Sequence, residues 1–204
     1  MDHRELEQSL RETGAATPAA WDRLRGELAG EAERAGLVDV AFERHETPLG
    51  TLVVGATREG LVRVGLPSEQ EGDVLSQLAE RVSPRVLRAS RASLTQTRRE
   101  LDEYFGHDRQ SFGIPLDWRL VSGFRREVLR ATELIPYGHT ASYRDVATRA
   151  GSPNAVRAAG TALATNPLPI VVPCHRVLRT GGGLGQYRGG PAAKAQLLHL
   201  ESAA

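Results

Sequence analysis

A single cysteine stands beside a histidine in the last quarter of the 204-residue sequence. Cys174 follows Pro173, and His175 comes directly after it. A thiolate is a strong nucleophile, but a free thiol with a pKa of ~8.5 is mostly protonated at neutral pH until a base removes its proton. Because His175 is the nearest candidate base, the pair predicts nucleophilic chemistry at sulfur. The same pair also suits a small buried thiol beside an ordinary histidine.

The residues before Cys174 must bring these two side chains together. Residues 170–172 are apolar and β-branched, which predicts a buried strand that carries Cys174 to the wall of a pocket. Successive side chains of a strand point to opposite faces, so the thiol and the imidazole can cooperate only if the chain turns at Pro173 or a water bridges them. Pro173 favours the turn, because it cannot donate to a sheet ladder.

Helical patterns precede this segment. A helix over residues 122–134, capped by Ser122, is expected to end before Pro136. Helices over residues 143–149 and 154–165, joined by a tight glycine–proline turn, predict a helix-turn-helix. Small residues crowd the second of these helices and would let its backbone approach another surface closely. A buried core helix would show the same pattern, so the residues alone leave both interpretations open.

The amino-terminal end predicts a helical extension over residues 1–36. One helix is expected over residues 5–12, and a second begins at Pro18 after a Thr17 cap and ends at Gly36. The apolar residues expected to pack the second helix on the body of the protein are Trp21, Leu24 and Leu28.

Residues 37–118 predict an α/β domain, and residues 119–204 predict a second, mainly helical domain. Short β-branched runs predict an antiparallel meander, and apolar residues at helical intervals predict two helices with one strand between them. The strands are expected over residues 38–44, 51–56, 61–66 and 84–89, the helices over 73–82 and 93–104, and an extended segment over 111–116.

Charge is divided unevenly between the two halves. Residues 119–204 hold eleven basic and four acidic residues, a net charge of +7, whereas the rest of the chain carries −6. A basic half suits a surface that faces phosphates, although such a patch matters only if it is clustered on one face. The glycine-rich residues 181–185 lack the spacing of a phosphate-binding loop and indicate a flexible surface connection.

Composition limits the class of protein. The sequence is 40% hydrophobic and 25% charged, as in soluble globular proteins. No segment reaches the ~20 apolar residues of a membrane span, and the first residues lack signal-peptide character, so we expect a cytoplasmic protein without membrane contact. One cysteine excludes an internal disulfide and a cysteine-rich zinc site, and we expect no metal and no cofactor.

Three blocks of sequence form one specific pattern. They are Asn-Pro-Leu-Pro-Ile-Val-Val-Pro-Cys-His-Arg-Val at 166–177, Gly-Gln-Tyr-Arg-Gly-Gly at 185–190 and Leu-Leu-His-Leu-Glu at 197–201. This pattern closely resembles the O6-alkylguanine-DNA alkyltransferase family. The resemblance implies an α+β fold, in which an amino-terminal ribonuclease H-like α/β domain with antiparallel strands precedes a winged-helix-like domain with a helix-turn-helix. In this interpretation the amino-terminal half supplies fold rather than chemistry.

The resemblance also implies a function and a set of residues. An alkyl group would pass irreversibly from O6 of guanine in double-stranded DNA to Cys174, so that each molecule, a monomer, acts once. Arg157 would enter the base stack, and Glu201 would orient His175, which acts on Cys174 through a water. The catalytic residues implied are Cys174, His175, Glu201, Asn166 and Tyr143; the DNA-binding residues are Arg157, Ala155, Ala158, Tyr143 and Arg176; the pocket residues are Val177, Tyr187, Arg188, Lys194 and Pro169.

Other functions stay open on the residues alone. A non-enzymatic module that binds alkylated DNA, a Cys-His-Glu thiol hydrolase and a transcription regulator would each share part of the pattern. Arg188 departs from the serine that some relatives carry there, and residues 122–125 depart from their usual Thr-Pro-Phe-Gln. The sequence leaves open the size of the alkyl group, transfer from O4 of thymine, clustering on DNA and the role of residues 1–36.

Overall fold

The computed structural model describes residues 18–202, without the side chains of residues 18–22 and 25. The helix expected over residues 5–12 and the Thr17 cap lie outside the described residues. The first described helix, α1 (Pro18–Arg34), corresponds to the second helix predicted. Gly36 closes it with a φ of 72°, a conformation that costs glycine little.

Helix α1 attaches to the protein differently from the prediction. Leu24 and Leu28 are 51% and 69% exposed, so they do not pack on the body, and the side chain of Trp21 lies outside the description. Instead, Arg91 donates to both carboxylate oxygens of Glu33, at 2.9 and 3.0 Å. Helix α1 therefore packs on the core through Ala29 and Ala32 rather than through the predicted leucines, and a two-pronged ion pair near its carboxyl end adds to this contact.

The predicted antiparallel meander is confirmed, and a fourth strand extends it. Strands β1 (Val40–Thr47), β2 (Gly50–Ala56) and β3 (Leu61–Gly65) pair antiparallel in sequence order. Strand β4 (Val86–Arg88) pairs parallel with β1, so the order is β3-β2-β1-β4. The sheet is mixed, and the antiparallel prediction holds for its first three strands.

Helices cover both faces of this sheet. Successive side chains of a strand alternate between faces, so Val53 packs in one apolar cluster while Leu52 packs in another. Helix α2 (Glu71–Arg81) covers the Val53 face, and helix α3 (Ala92–Phe105) covers the Leu52 face. Because both faces are buried, the strands read as nearly continuous apolar runs.

Four helices build the carboxyl-terminal half. Helix α4 (Gly123–Glu133) begins after Ser122, whose side chain makes no capping hydrogen bond to any described residue, so the predicted side-chain cap is absent. The predicted helix-turn-helix is confirmed as α5 (Tyr143–Arg149) and α6 (Val156–Ala164), and α7 (Gly190–Ser202) ends the described chain. Within residues 18–202, no helix has the length and apolarity needed to cross a bilayer.

Two short strands lie beside the segment around Cys174, and a backbone hydrogen bond joins this segment to the amino-terminal half. Strand β5 (Ala141–Ser142) pairs parallel with β6 (Val177–Leu178), just after the cysteine. The amide of Val64 in β3 donates to the carbonyl of Pro167 at 2.8 Å. The sheet of the amino-terminal half therefore supports the turn that precedes Cys174.

The strand predicted over residues 170–172 is a turn. The amide of Val172 donates to the carbonyl of Leu168 at 2.8 Å, and Ile170 has a φ of 75°. Prolines at 167, 169 and 173 cannot donate to a sheet ladder, which explains why an apolar run failed to extend. The amide of Cys174 then donates to the Val172 carbonyl across Pro173, an inverse γ-turn.

Candidate active site

Asn166 and Cys174 are held together in this buried turn. The Asn166 amide donates to Cys174 Sγ at 3.2 Å and to the Val172 carbonyl at 2.9 Å, and its oxygen accepts from the Leu168 amide at 2.9 Å. Cys174 is 5% exposed and Asn166 is 1% exposed. Three bonds from one side chain therefore fix the turn and give the sulfur a polar partner.

His175 bonds to Glu201 rather than to Cys174. Its Nε2 lies 2.8 Å from Glu201 Oε1, and both side chains are buried. Cys174 and His175 are consecutive in a 3-10 turn, where neighbouring side chains point about a third of a turn apart. The His175 Nδ1 atom is buried and has no hydrogen-bond partner within residues 18–202. The turn at Pro173 therefore does not join the thiol and the imidazole directly.

Glu201 is the centre of a buried hydrogen-bond network. Its carboxylate accepts from four residues of the described chain: Tyr104 Oη at 2.7 Å, His175 Nε2 at 2.8 Å, Arg176 Nε and Nη2 at 2.8 and 2.9 Å, and the Gly138 amide at 3.3 Å. Buried charges require such partners, because an unpaired carboxylate loses its hydration without compensation. The network fixes the position of the carboxylate that faces His175.

Arg176 is part of this interior network, which corrects its expected place on a DNA-binding surface. It is 6% exposed, donates twice to Glu201 and also donates to the Ile135 carbonyl at 2.5 Å. Its guanidinium also lies 5.7 Å from the centre of the Tyr137 ring, a cation–π distance. Sequence could not distinguish this role, because a basic residue beside a reactive cysteine suits either a phosphate or an internal carboxylate.

Burial and hydrogen bonds together set the protonation states of Cys174, His175 and Glu201. The pKa of Cys174 is raised by burial, with the Asn166 hydrogen bond opposing, so the resting sulfur is a thiol. The pKa of His175 is lowered by burial, with Glu201 opposing. Burial would raise the pKa of Glu201, but hydrogen bonds from His175 and Arg176 lower it to about 2. An ionised Glu201 therefore accepts from Nε2–H of a neutral imidazole, which leaves Nδ1 able to accept a proton.

The residues predicted to form the pocket take three different positions. The Tyr187 ring stands edge-on to His175 at 6.4 Å, and its buried Oη has no partner in the described part of the chain. Lys194 is buried and donates to the Val177 carbonyl at 2.6 Å, which ties α7 to β6. Pro169 lies inside the buried turn. Tyr187 therefore lies beside the predicted relay of Cys174, His175 and Glu201, and Val177, Lys194 and Pro169 are buried in the surrounding structure.

Arg188 connects the segment after Tyr187 to the amino-terminal half. Its Nη1 lies 2.8 Å from Glu69 Oε1, and its carbonyl accepts from Ser68 Oγ at 3.1 Å. Glu69 also pairs with the buried Arg63. The structure therefore holds the Arg188 side chain towards the amino-terminal half. Arg188 also lines a cavity of about 440 Å³ with Gly185, Gln186 and Tyr187, and its role as a pocket residue stays a prediction.

An open groove lies on the outer side of α6. Arg157 lines this groove and is exposed. Its neighbour Ala158 is exposed as well, whereas Ala159 and Ala162 are buried, so the small residues of α6 serve both packing and an open face. Ala155 is half-buried at the cap position before the helix. The groove has a volume of about 590 Å³, and its lining includes Tyr143, Arg157, Gly160, Arg179 and Gln186.

The structure adds three residues that sequence reasoning missed. Tyr104 contacts the catalytic candidate Glu201 from the amino-terminal half, and Glu69 holds Arg188. Arg179 lines the groove opposite α6. Of the three, only Arg179 could have been suspected from the sequence, because it contributes to the excess of basic residues in 119–204. The Tyr104–Glu201 and Glu69–Arg188 contacts join residues that are 97 and 119 positions apart in sequence, so no local pattern predicts them.

Comparisons with known proteins agree on one family. The model described as the DNA binding domain of 6-O-methylguanine DNA methyltransferase matches residues 123–203, and the model for its ribonuclease-like domain matches residues 33–118. The constitutive methylated-DNA–protein-cysteine methyltransferase of Bacillus subtilis is 37% identical over 160 residues, which cover 76% of this chain and 92% of the relative. The inducible enzyme of the same organism is 36% identical over 151 residues, 74% of this chain and 84% of the relative.

A solved structure agrees with these relatives in fold. The crystal structure of Mycobacterium tuberculosis OGT in complex with DNA matches with a TM-score of 0.67 and 30% identity, over 80% of this chain and 93% of that one. The two matched models together span most of the chain, and the predicted two-part α+β fold is confirmed. The chain belongs to the 6-O-methylguanine DNA methyltransferase family.

Proposed function

We propose that the protein repairs double-stranded DNA by transferring an alkyl group from O6 of guanine to Cys174. Family membership supports this activity, and the relatives carry it in their names. The observation that carries the proposal for these residues is the position of one buried thiol. Cys174 bonds to Asn166, precedes His175 of the His175–Glu201 pair, and lies near Tyr143, which lines the basic groove on α6.

The groove would receive the DNA backbone and the opened base stack. O6 of guanine is inaccessible to a protein pocket inside a duplex, so the base must flip out at a cost of a few kcal/mol. The open face of α6 presents Ala158 and allows close approach to a minor groove, where readout is nearly blind to sequence. Arg157 would fill the space that the base leaves, and Arg179 would face the backbone from the other wall.

The chemistry starts with a proton transfer. A water would carry the proton of the Cys174 thiol to His175 Nδ1, the buried acceptor without a protein partner in residues 18–202. Glu201 then stabilises the imidazolium, since its lowered pKa of about 2 keeps it ionised. The thiolate attacks the alkyl carbon: the carbon–sulfur bond forms as the bond to O6 breaks, and the electron pair remains on guanine. Hydrogen-bond donation near N3 by Tyr143 would ease its departure.

The product explains why each molecule would act once. A thioether has no electrophilic carbonyl for water to attack, so the thiol does not return, unlike that of a cysteine hydrolase. The groove and the relay both lie within one chain, which supports action as a monomer on DNA. We also propose residues 37–118 and 119–204 as the two domains and residues 1–36 as an extension, whose described helix α1 contacts the core through Ala29 and the ion pair of Glu33.

Mass spectrometry tests the proposal. After incubation with a duplex that contains one O6-methylguanine, the peptide that holds Cys174 should gain the mass of one CH2 group, and the strand should lose it. Tight binding to methylated duplex with an unchanged peptide mass would overturn transfer and favour a damage-binding module. Repeated turnover of an ester or amide would favour a hydrolase.

A further inference from the structure

One hydrogen bond joins the amino-terminal half to the reactive relay. Tyr104, the penultimate residue of α3, donates from Oη to Glu201 Oε1 at 2.7 Å. Tyr104 is completely buried, and Glu201 is 3% exposed. The bonded oxygen is the same one that His175 Nε2 contacts. A residue outside the DNA-binding half therefore touches the carboxylate that orients the base.

The Tyr104 ring has little freedom to leave this position. It packs against Phe105 and Phe112 with ring centres 5.3 Å away in each case, and against Tyr137 at 6.0 Å. Burial and the neighbouring Glu201 raise the pKa of its phenol far above the ordinary value. The hydroxyl is therefore a neutral donor throughout the neutral range, and its oxygen is held at one place by a packed aromatic cluster.

The Tyr104 bond affects both the position and the charge of Glu201. A charge-assisted hydrogen bond is about twice as strong as a neutral one, and each donor draws charge from the carboxylate it contacts. Without Tyr104, the donors to Oε1 that remain among residues 18–202 are His175 and Arg176, both in the carboxyl-terminal half. The carboxylate of Glu201 would turn more freely. Its negative charge, no longer partly neutralised by the Tyr104 hydroxyl, would favour the protonated form of His175.

We propose that Tyr104 is a positioning residue for alkyl transfer, so that docking of the amino-terminal domain completes the relay around Cys174. This inference rests on the proposed function and gives the amino-terminal domain a part in the chemistry. Tyr104 touches neither the thiol nor the substrate; it acts through Glu201 on His175.

The test replaces Tyr104 with phenylalanine in the full-length chain, which removes the hydroxyl and keeps the packed ring. With saturating O6-methylguanine duplex, the single-turnover rate constant should fall roughly tenfold, within the range expected when one charge-assisted bond is lost. The DNA concentration that gives half of the maximal rate should stay unchanged. In the pH profile of the rate constant, the decline on the acid side should begin at a higher pH in Tyr104→Phe, because His175 protonates more readily in this variant.

Tyr137→Phe is the matched control. It removes a hydroxyl from the same aromatic cluster, but this hydroxyl donates to the Leu200 carbonyl at 3.3 Å and not to Glu201. Its rate constant and pH profile should match those of the wild type. Equal rates and profiles for Tyr104→Phe and wild type would overturn the proposal, and so would an equal loss in both variants.

A second readout separates this inference from the proposed function. Alkylation of Cys174 by iodoacetamide requires no DNA, and it should be slower below neutral pH in Tyr104→Phe than in Tyr137→Phe. If wild-type protein takes no methyl group from DNA, the proposed function fails, and the iodoacetamide rates still test Tyr104. Identical alkylation rates in the two variants at every pH would overturn its positioning role. Thermal unfolding of both variants shows that the fold is retained.

Discussion

Gly185 lies directly against the hydroxyl of Tyr143. A β-carbon built on Gly185 would stand 2.6 Å from Tyr143 Oη and 3.3 Å from Cζ, closer than side chains tolerate. Gly185 also has a φ of 67°, which L side chains rarely adopt. Only glycine therefore lets the loop after β6 pass this close to Tyr143, the residue proposed to donate to the flipped base.

Alanine at position 185 should slow transfer by displacing the loop or the phenol. We expect Gly185→Ala to reduce the single-turnover rate constant by roughly tenfold or more, since small misplacements of positioning groups are costly. Gly183→Ala is the control, because a β-carbon there would meet Arg179 Cδ at an ordinary 3.7 Å. Equal rates for the two variants in a quenched-flow assay would show that the Gly185–Tyr143 contact is unimportant.

Arg179 should contribute to duplex binding but not to the reaction of the thiol. Each neutralised phosphate adds about one unit to the slope of log affinity against log salt concentration, so Arg179→Gln should lower affinity and reduce this slope by about one. Arg99→Gln, outside the groove and paired with Glu103 at 3.6 Å, is the control and should keep the slope. Fluorescence anisotropy across a salt series measures both, and an unchanged slope in Arg179→Gln would remove it from the DNA surface.

The pH dependence of transfer should follow His175. Burial lowers the pKa of His175 below its ordinary value of 6.5. The imidazole therefore stays neutral and able to accept a proton until the pH falls below this lowered pKa. His175→Gln should react ~10²-fold more slowly at neutral pH, as expected for loss of a general base. Its rate should recover as the pH approaches the raised pKa of Cys174, where the thiol ionises unaided. If the rate constant of His175→Gln stayed below that of the wild type by the same factor at every pH, this would argue against proton transfer to His175.

Glu201 should stabilise the fold as well as the relay. Its pKa of about 2 lies below the ~4.3 of an unfolded glutamate, so its contribution is complete above ~4.3 and disappears as the pH falls through about 2. Glu201→Gln leaves Arg176 buried without a counter-charge and should cost ~3–5 kcal/mol of unfolding free energy at pH 7.

Denaturant titrations at several pH values measure the difference in unfolding free energy between wild type and Glu201→Gln. This difference should become smaller towards pH 2. Glu59→Gln removes an exposed partner of Arg119 and should change stability by less than ~1 kcal/mol. A Glu201→Gln deficit that is equally small at pH 7 would contradict the role of Glu201 in holding Arg176.

Local patterns predicted the strands, the helices and the helix-turn-helix, because each depends on periodicity within a few residues. The turn at residues 167–173 was mispredicted as a strand, since apolar composition outweighed the spacing of its prolines. The family resemblance placed Cys174, His175 and Glu201, and the structure brings the last two together at 2.8 Å.

Other parts of the site were beyond sequence reasoning, because they depend on contacts between distant segments. Arg176 faces an interior carboxylate, and Arg188 pairs with Glu69 from the other half of the chain. Tyr104 lies in a helix whose pattern indicates only core packing. Leu24 and Leu28 show the reverse failure, since apolar spacing on α1 did not lead to burial.

The stoichiometry of repair tests the central claim most directly. With O6-methylguanine duplex in excess, wild-type protein should remove one lesion per molecule and then stop, with the methyl group on Cys174, while Cys174→Ser should remove none. Continued removal beyond one lesion per molecule, or repair by Cys174→Ser at an undiminished rate, would contradict irreversible transfer to this sulfur.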